Sequence, residues 1–240
     1  MARPFILLLM IFGLAACSDA PRSSWEDQVE HLGTLRAIMH QNDVTPKTFL
    51  DQLNNRDSLY ALGAVAYLKG EILMLGGETI IAGTDTSGSV TISGDPETGA
   101  CLMVAARVGS WSEIAIPDEV TTQQGLEEYI VAVADQWGIN TAQPFPFRLE
   151  GRFKTMDWHV VNWENGDTEH SHQKHIESGP HGTLTEVDAI LLGFRSTKHT
   201  GIFTHYDSDF HMHMVLDDRS LAGHVDGFIP GKLTLYLPAS

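Results

Sequence analysis

Phe210-His211-Met212-His213-Met214-Val215-Leu216-Asp217-Asp218-Arg219-Ser220-Leu221-Ala222-Gly223-His224 reads as a β-hairpin. Asp217 to Ser220 supply a polar turn between two apolar runs. Strand side chains alternate between faces, so His211 and His213 share one face. If Leu216 pairs with Leu221 across a four-residue turn, the same register sets His213 opposite His224, with Cβ atoms roughly 5 Å apart. Three imidazoles then converge on one side of one hairpin. Such a facial three-His set leaves coordination positions open for water or substrate, as a catalytic zinc needs. The third His carries the reading. With 12 His in 240 residues, a His-x-His pair arises readily by chance, and His170-Ser171-His172 is another.

The amino terminus has a different character. Met1-Ala2-Arg3-Pro4 precedes a nearly unbroken apolar run from Phe5 to Leu14, then Ala15-Ala16-Cys17. One basic residue, a short apolar core and small residues describe a secretory signal, too short for a spanning helix. Leu14-Ala15-Ala16-Cys17 resembles a bacterial lipobox. That resemblance implies residues 1–16 as a signal peptide, lipid on Cys17, and residues 17–24 as a tether. The expected location is outside the cytoplasm, on a membrane through the lipid alone. The formal charge of −16 makes nucleic acid and anionic lipid surfaces poor partners. Cys101, the one other cysteine, lies in the strand-like run Cys101-Leu102-Met103-Val104-Ala105-Ala106 and reads as a small core residue.

What remains suits one domain or two tightly fused lobes. Ser24 caps an expected helix carrying Trp25, Val29, Leu32, Leu35, Ile38 and Met39, and Thr45-Pro46 starts a second with Phe49, Leu50 and Leu53 facing inward. Strands are expected over 59–68, 72–75, 79–82, 89–92, 102–108 and 112–116, with glycines at the turns. Residues 121–137 form an amphipathic helix. Pro144 and Pro146 mark a connection between lobes. Strands follow over 147–156, 158–163 and 183–194, then the hairpin, then 233–237. The His170–His181 tract reads as a solvated loop, with a metal-collecting segment as the sharper alternative.

In that frame the residues resemble the α-acetolactate decarboxylase family. Leu62-Gly63-Ala64-Val65-Ala66-Tyr67-Leu68-Lys69-Gly70-Glu71-Ile72 is similar to its early strand–turn–strand, and Phe147-Arg148-Leu149-Glu150-Gly151-Arg152-Phe153 to its mid-chain strand. Gly182-Thr183-Leu184, Gly193-Phe194-Arg195, His211-Met212-His213 and Gly223-His224-Val225 fall in the family's order. The resemblance implies an α/β (α+β) fold over 25–240, with a mixed-sheet lobe (about 25–143) and a barrel-like β lobe (about 144–240). It implies Zn2+ on His211, His213 and His224, conversion of 2-acetolactate to acetoin and carbon dioxide, and proton handling by Glu71. A homodimer is a further implication.

The chain departs from the family pattern in places that matter. His159 stands where the family has an Arg suited to gripping the substrate carboxylate. Ala64 stands where it has a Thr. No counterpart of the family's tail Glu is read before Ser240. An imidazolium replaces the charge of a guanidinium but not its bidentate fork. Arg148 or Arg152 is then the expected substrate-binding cation, and His199 and His205 are expected near the mouth. A metal-binding lipoprotein without catalysis is the alternative function. A cupin-like oxygenase fits less well, because His224 follows His213 too closely.

Overall fold

The computed structural model describes residues 29–53 and 56–239. The signal segment, Cys17 and the tether lie outside these residues. Among the described residues two antiparallel sheets form the framework, with three α-helices around them. The first sheet contains β1 (Glu30–Leu32), β2 (Thr48–Phe49), β3 (Leu59–Val65), β4 (Glu71–Leu75), β5 (Glu78–Thr84), β6 (Val90–Ser93) and β7 (Gly99–Arg107). Its order is β1-β7-β3-β4-β5-β6, with β2 also on β7, and every ladder is antiparallel. The expected two-lobed α+β fold is therefore present, but its first sheet is antiparallel throughout and not mixed.

The second sheet contains β8 (Trp111–Ala115), β9 (Phe145–His159), β10 (His181–Arg195), β11 (Phe210–Leu216) and β12 (Ala222–Pro238). Pairing runs β11-β10-β9-β12-β8, and β12 also pairs β11, so β9 to β12 form a closed circuit of neighbours. Each of the long strands β9, β10 and β12 was expected to be shorter or divided. β12 runs unbroken because bulges at Asp226 and between Ile229 and Leu233 let it bend from β11 along β9 to β8. β8 already belongs to this sheet, so the change of lobe falls between β7 and β8. Pro144 and Pro146 mark the start of β9 instead.

Helix α2 (Gln123–Gln136) begins where Thr122 Oγ1 accepts from the Gly125 N–H. Its apolar stripe, Leu126, Ile130, Val133 and Ala134, packs with Phe145, Phe147, Leu149, Met212 and Met214 in a core of the second lobe. A separate core joins the lobes: Leu62, Leu73, Ile80 and Val104 of the first sheet meet Leu192, Phe194 and Val215 of the second.

The start of the expected helix at Ser24 and Trp25 lies outside the described residues, and its described part is not one helix. β1 pairs β7, Gly33 turns the chain at φ +71°, and α1 (Leu35–Gln41) starts on a Thr34 cap. A Cβ on Gly33 would lie 2.0 Å from the Cys101 carbonyl oxygen, so helical side-chain packing cannot continue there. The second expected helix is a strand pair and a 3-10 turn, with Leu50 buried but Phe49 exposed.

Between β3 and β4 the chain makes a tight reversal. Tyr67 and Leu68 have φ of 61° and 53°, and Gly70 has φ of 144°. A Cβ on Gly70 would meet the Ala82 carbonyl oxygen at 2.3 Å. Gly70→Ala should therefore lower stability by about 3 kcal/mol in chemical denaturation. An unchanged midpoint would mean that the turn tolerates a side chain and does not set the position of Glu71.

Candidate metal centre

Alternation along β11 decides where its side chains go. Met212 and Met214 enter the second-lobe core, whereas Val215 and the histidines face the first sheet. The hairpin register sets His213 opposite His224, Met214 opposite Gly223 and Val215 opposite Ala222. β12 continues the row by placing His224 opposite His159 on β9.

His211, His213 and His224 are all buried, and their donor atoms lie within 4.8 Å of one another. Their ring centroids are 5.0, 5.1 and 5.2 Å apart. A tetrahedral zinc with nitrogens at about 2.1 Å holds two ligand nitrogens roughly 3.4 Å apart. His224 Nδ1 and His213 Nε2 are separated by 3.3 Å. The His213 Nδ1–H donates to the Ile72 carbonyl at 2.9 Å, which leaves the lone pair on Nε2. His211 Nδ1 is buried with no hydrogen-bond partner among the described residues. A buried ring nitrogen left without a partner in that position suits an ion. Burial pushes His213 down to about 3 and His211 and His224 well below the usual imidazole range. All three are then neutral, the form that binds metal. The donor set fits zinc.

Glu71 opens β4, directly after the strained turn. Its Oε1 accepts from the Val161 N–H at 3.1 Å, and its Oε2 lies 3.6 Å from His213 Nε2. Burial raises its pKa to about 7, although the His159 charge and the Val161 N–H oppose the rise. His159 is 4.8 Å from the His224 ring, and its Nδ1 meets both Asp226 oxygens at 2.9 and 3.0 Å. Burial alone would lower the His159 pKa. The Asp226 hydrogen bond and the charges of Glu71 and Asp226 outweigh it, so the net direction is upward.

Four of these groups open on a cavity of ≈ 50 Å³. Glu71, His159, His211 and His224 form its polar wall, with Leu35, Ile38, Ala64, Leu102, Val161 and Phe203 as its apolar wall. Arg148 is not there. It pairs with Glu150 at 2.8 Å and lies over Trp111 and Tyr236 at 5.3 and 4.6 Å. Arg152 pairs with Glu186 and Asp188 at the surface. The strand period explains both placements, since Arg148 stands opposite Tyr236 on a row away from His159.

The His170–His181 tract differs from the solvated loop expected. It contains α3 (His172–Glu177), and His172 and His175, three residues apart on one helix face, line the cavity with His205. That spacing was the available signal. His199 instead stacks on Phe203 and meets His31 edge-on. Asp226 carried no sequence signal, because a bulge sets its position.

The family profile described as Alpha-acetolactate decarboxylase matches residues 32–238. The chain belongs to this family. Its fold is similar to the crystal structure of α-acetolactate decarboxylase from Bacillus subtilis strain 168, with a TM-score of 0.70 at 15% identity over 89% of this chain and 86% of that one. The enzyme from Bacillus subtilis subspecies spizizenii gives a TM-score of 0.69 at 15% identity over 89% and 86%. A Staphylococcus aureus protein of unknown function, described as similar to α-acetolactate decarboxylase, gives 0.65 at 14% identity over 87% and 84%. Sequence comparison with curated proteins finds no match.

Replacing His211, His213 or His224 by Ala should reduce bound zinc from one per chain to well below one, read by elemental analysis of dialysed protein. Full occupancy in any of the three variants would remove that residue from the ligand set.

Proposed function

We propose that this family member is a zinc-dependent decarboxylase of 2-acetolactate or a closely similar 2-hydroxy-3-keto acid, exported and held to a membrane by lipid on Cys17. The observation that carries the proposal is a buried three-His set, two of whose members line one cavity with an elevated carboxyl and an apolar wall. His211, His213 and His224 would hold the ion, which supplies Lewis acidity to the substrate's keto and hydroxyl oxygens.

The remaining work falls to the chain itself. The apolar wall of Leu35, Ile38, Leu102 and Val161 excludes water from the position where the carboxylate gives up its charge. Burial raises the Glu71 carboxyl, which favours its protonated form. It can deliver that proton to the carbon that has lost carbon dioxide. The Val161 N–H holds Oε1, which leaves Oε2 as the atom nearer the reacting groups. His159, braced by Asp226, lines the cavity and would meet the substrate carboxylate in place of the family's Arg.

Protein loaded with zinc should release acetoin from racemic acetolactate above the rate of spontaneous decay. Acetoin at the background rate from protein with one zinc per chain would instead favour a metal-binding lipoprotein on the same scaffold. Glu71→Gln should keep its zinc and lose roughly 10²-fold or more in turnover, a typical contribution of a positioned proton donor. An active Glu71→Gln variant would remove Glu71 from the proton step.

A further inference from the structure

Twelve histidines are more than one three-His centre and one clamp require, and the surplus is not scattered. His172 is exposed at the start of α3. Its ring lies 4.7 Å from that of His205, which is half-buried. The His205 ring is in turn 5.3 Å from His224 and 6.0 Å from His211, both fully enclosed candidate ligands. Imidazoles thus succeed one another from solvent to the centre at spacings close to the 5.0 to 5.2 Å within the three-His set itself. Two imidazoles sharing one tetrahedral ion have centroids about 5 Å apart, a spacing close to that of His172 and His205 at 4.7 Å and of His205 and His224 at 5.3 Å.

A second cavity, of ≈ 220 Å³, lies outside the first and shares Leu35, His172, His175 and His205 with it. Tyr206 and Asp207, both exposed, complete its outer wall. His175 is fixed by a relay. Asn42 Oδ1 accepts from His170 Nε2–H at 2.8 Å, so His170 Nδ1 accepts from His175 Nε2–H at 2.9 Å. The remaining lone pair of His175 is then on Nδ1. His170 stacks on Trp163 and His175 meets the same ring edge-on, which holds both in place.

We propose that His172 and His205, approached past Asp207, form a transient two-imidazole site for a divalent transition-metal ion and pass it inward to His211, His213 and His224. A two-His site is weak and exchanges readily, whereas three buried nitrogens hold the ion, so transfer runs inward. The Asp207 carboxylate and the formal charge of −16 attract an arriving cation. Among the described residues only the inner set gathers three donors within 4.8 Å, which suits a single resting position for the ion and a passing one outside it.

The proposal needs the inner ligands but not the decarboxylase reaction, and its test reads metal alone. Metal-stripped full-length protein is mixed with Co2+, and the growth of its visible absorption is followed by stopped flow. The double variant His172→Ala/His205→Ala should end at the parent's stoichiometry of one ion per chain but load roughly tenfold or more slowly, within the range by which local charge and ligands steer association. Asp207→Asn should show a smaller slowing and a weaker dependence of rate on salt. His172→Ala alone, at an exposed position, guards against misfolding of the double variant and should also load more slowly. Loading within twofold of the parent in the double variant overturns the proposal. So does a loss of final stoichiometry in a variant with an unchanged circular dichroism spectrum, because His205 would then be a resident ligand. Unchanged loading with impaired acetoin release would make the same cavity a substrate passage.

Discussion

A strand shows its side chains alternately to two faces, and β11 has both faces buried. That constraint organises the molecule. Met212 and Met214 must satisfy one core, so His211, His213 and Val215 are committed to the other side, against the first sheet. A one-residue slip would exchange the two sets and put imidazoles among phenylalanines. The partner register on β12 is equally constrained, because Gly223 is the residue opposite Met214 and a Cβ there would lie 2.6 Å from the His159 carbonyl oxygen. The centre is therefore specified by packing on both sides before any ion is considered.

The centre also joins the lobes. His213 bonds to Ile72 and Glu71 to Val161, so each lobe supplies a partner for a polar group of the other. Buried polar groups are costly unless satisfied. Placing them at this junction makes lobe docking and site assembly the same event. The desolvation that keeps the imidazoles neutral also raises the Glu71 carboxyl, so one physical cause prepares both a ligand set and an acid.

Much of this was legible in the sequence because it is local. The hairpin register follows from the turn and the strand period, and His213 does stand opposite His224. Glu71 was reached only through a resemblance, since nothing near it in sequence shows that β4 faces β11. The parts that were missed are long-range. The helix expected through Gly33 fails on a backbone approach to Cys101, and the assignment of β8 to the second lobe depends on β12, more than a hundred residues later. The His170–His181 tract looked solvated because its polarity is high. Only the placement of Trp163 and Asn42 beside it shows why His175 is buried.

The setting of His159 is best understood through Asp226. A guanidinium brings its own permanent charge and two parallel donors to a carboxylate. An imidazole brings one donor per nitrogen, and its charge depends on its neighbours. Here the Nδ1 is taken by Asp226, which sits where β12 gains a residue against β9, between Val225 opposite Trp158 and Gly227 opposite Asp157. The bulge turns a carboxylate back toward the ring that the register has just placed beside His224. Without the extra residue, the chain after His224 would continue in step and the aspartate would stand opposite Asp157, where a like charge faces it. A strand irregularity thus supplies the carboxylate that fixes the orientation of the His159 ring.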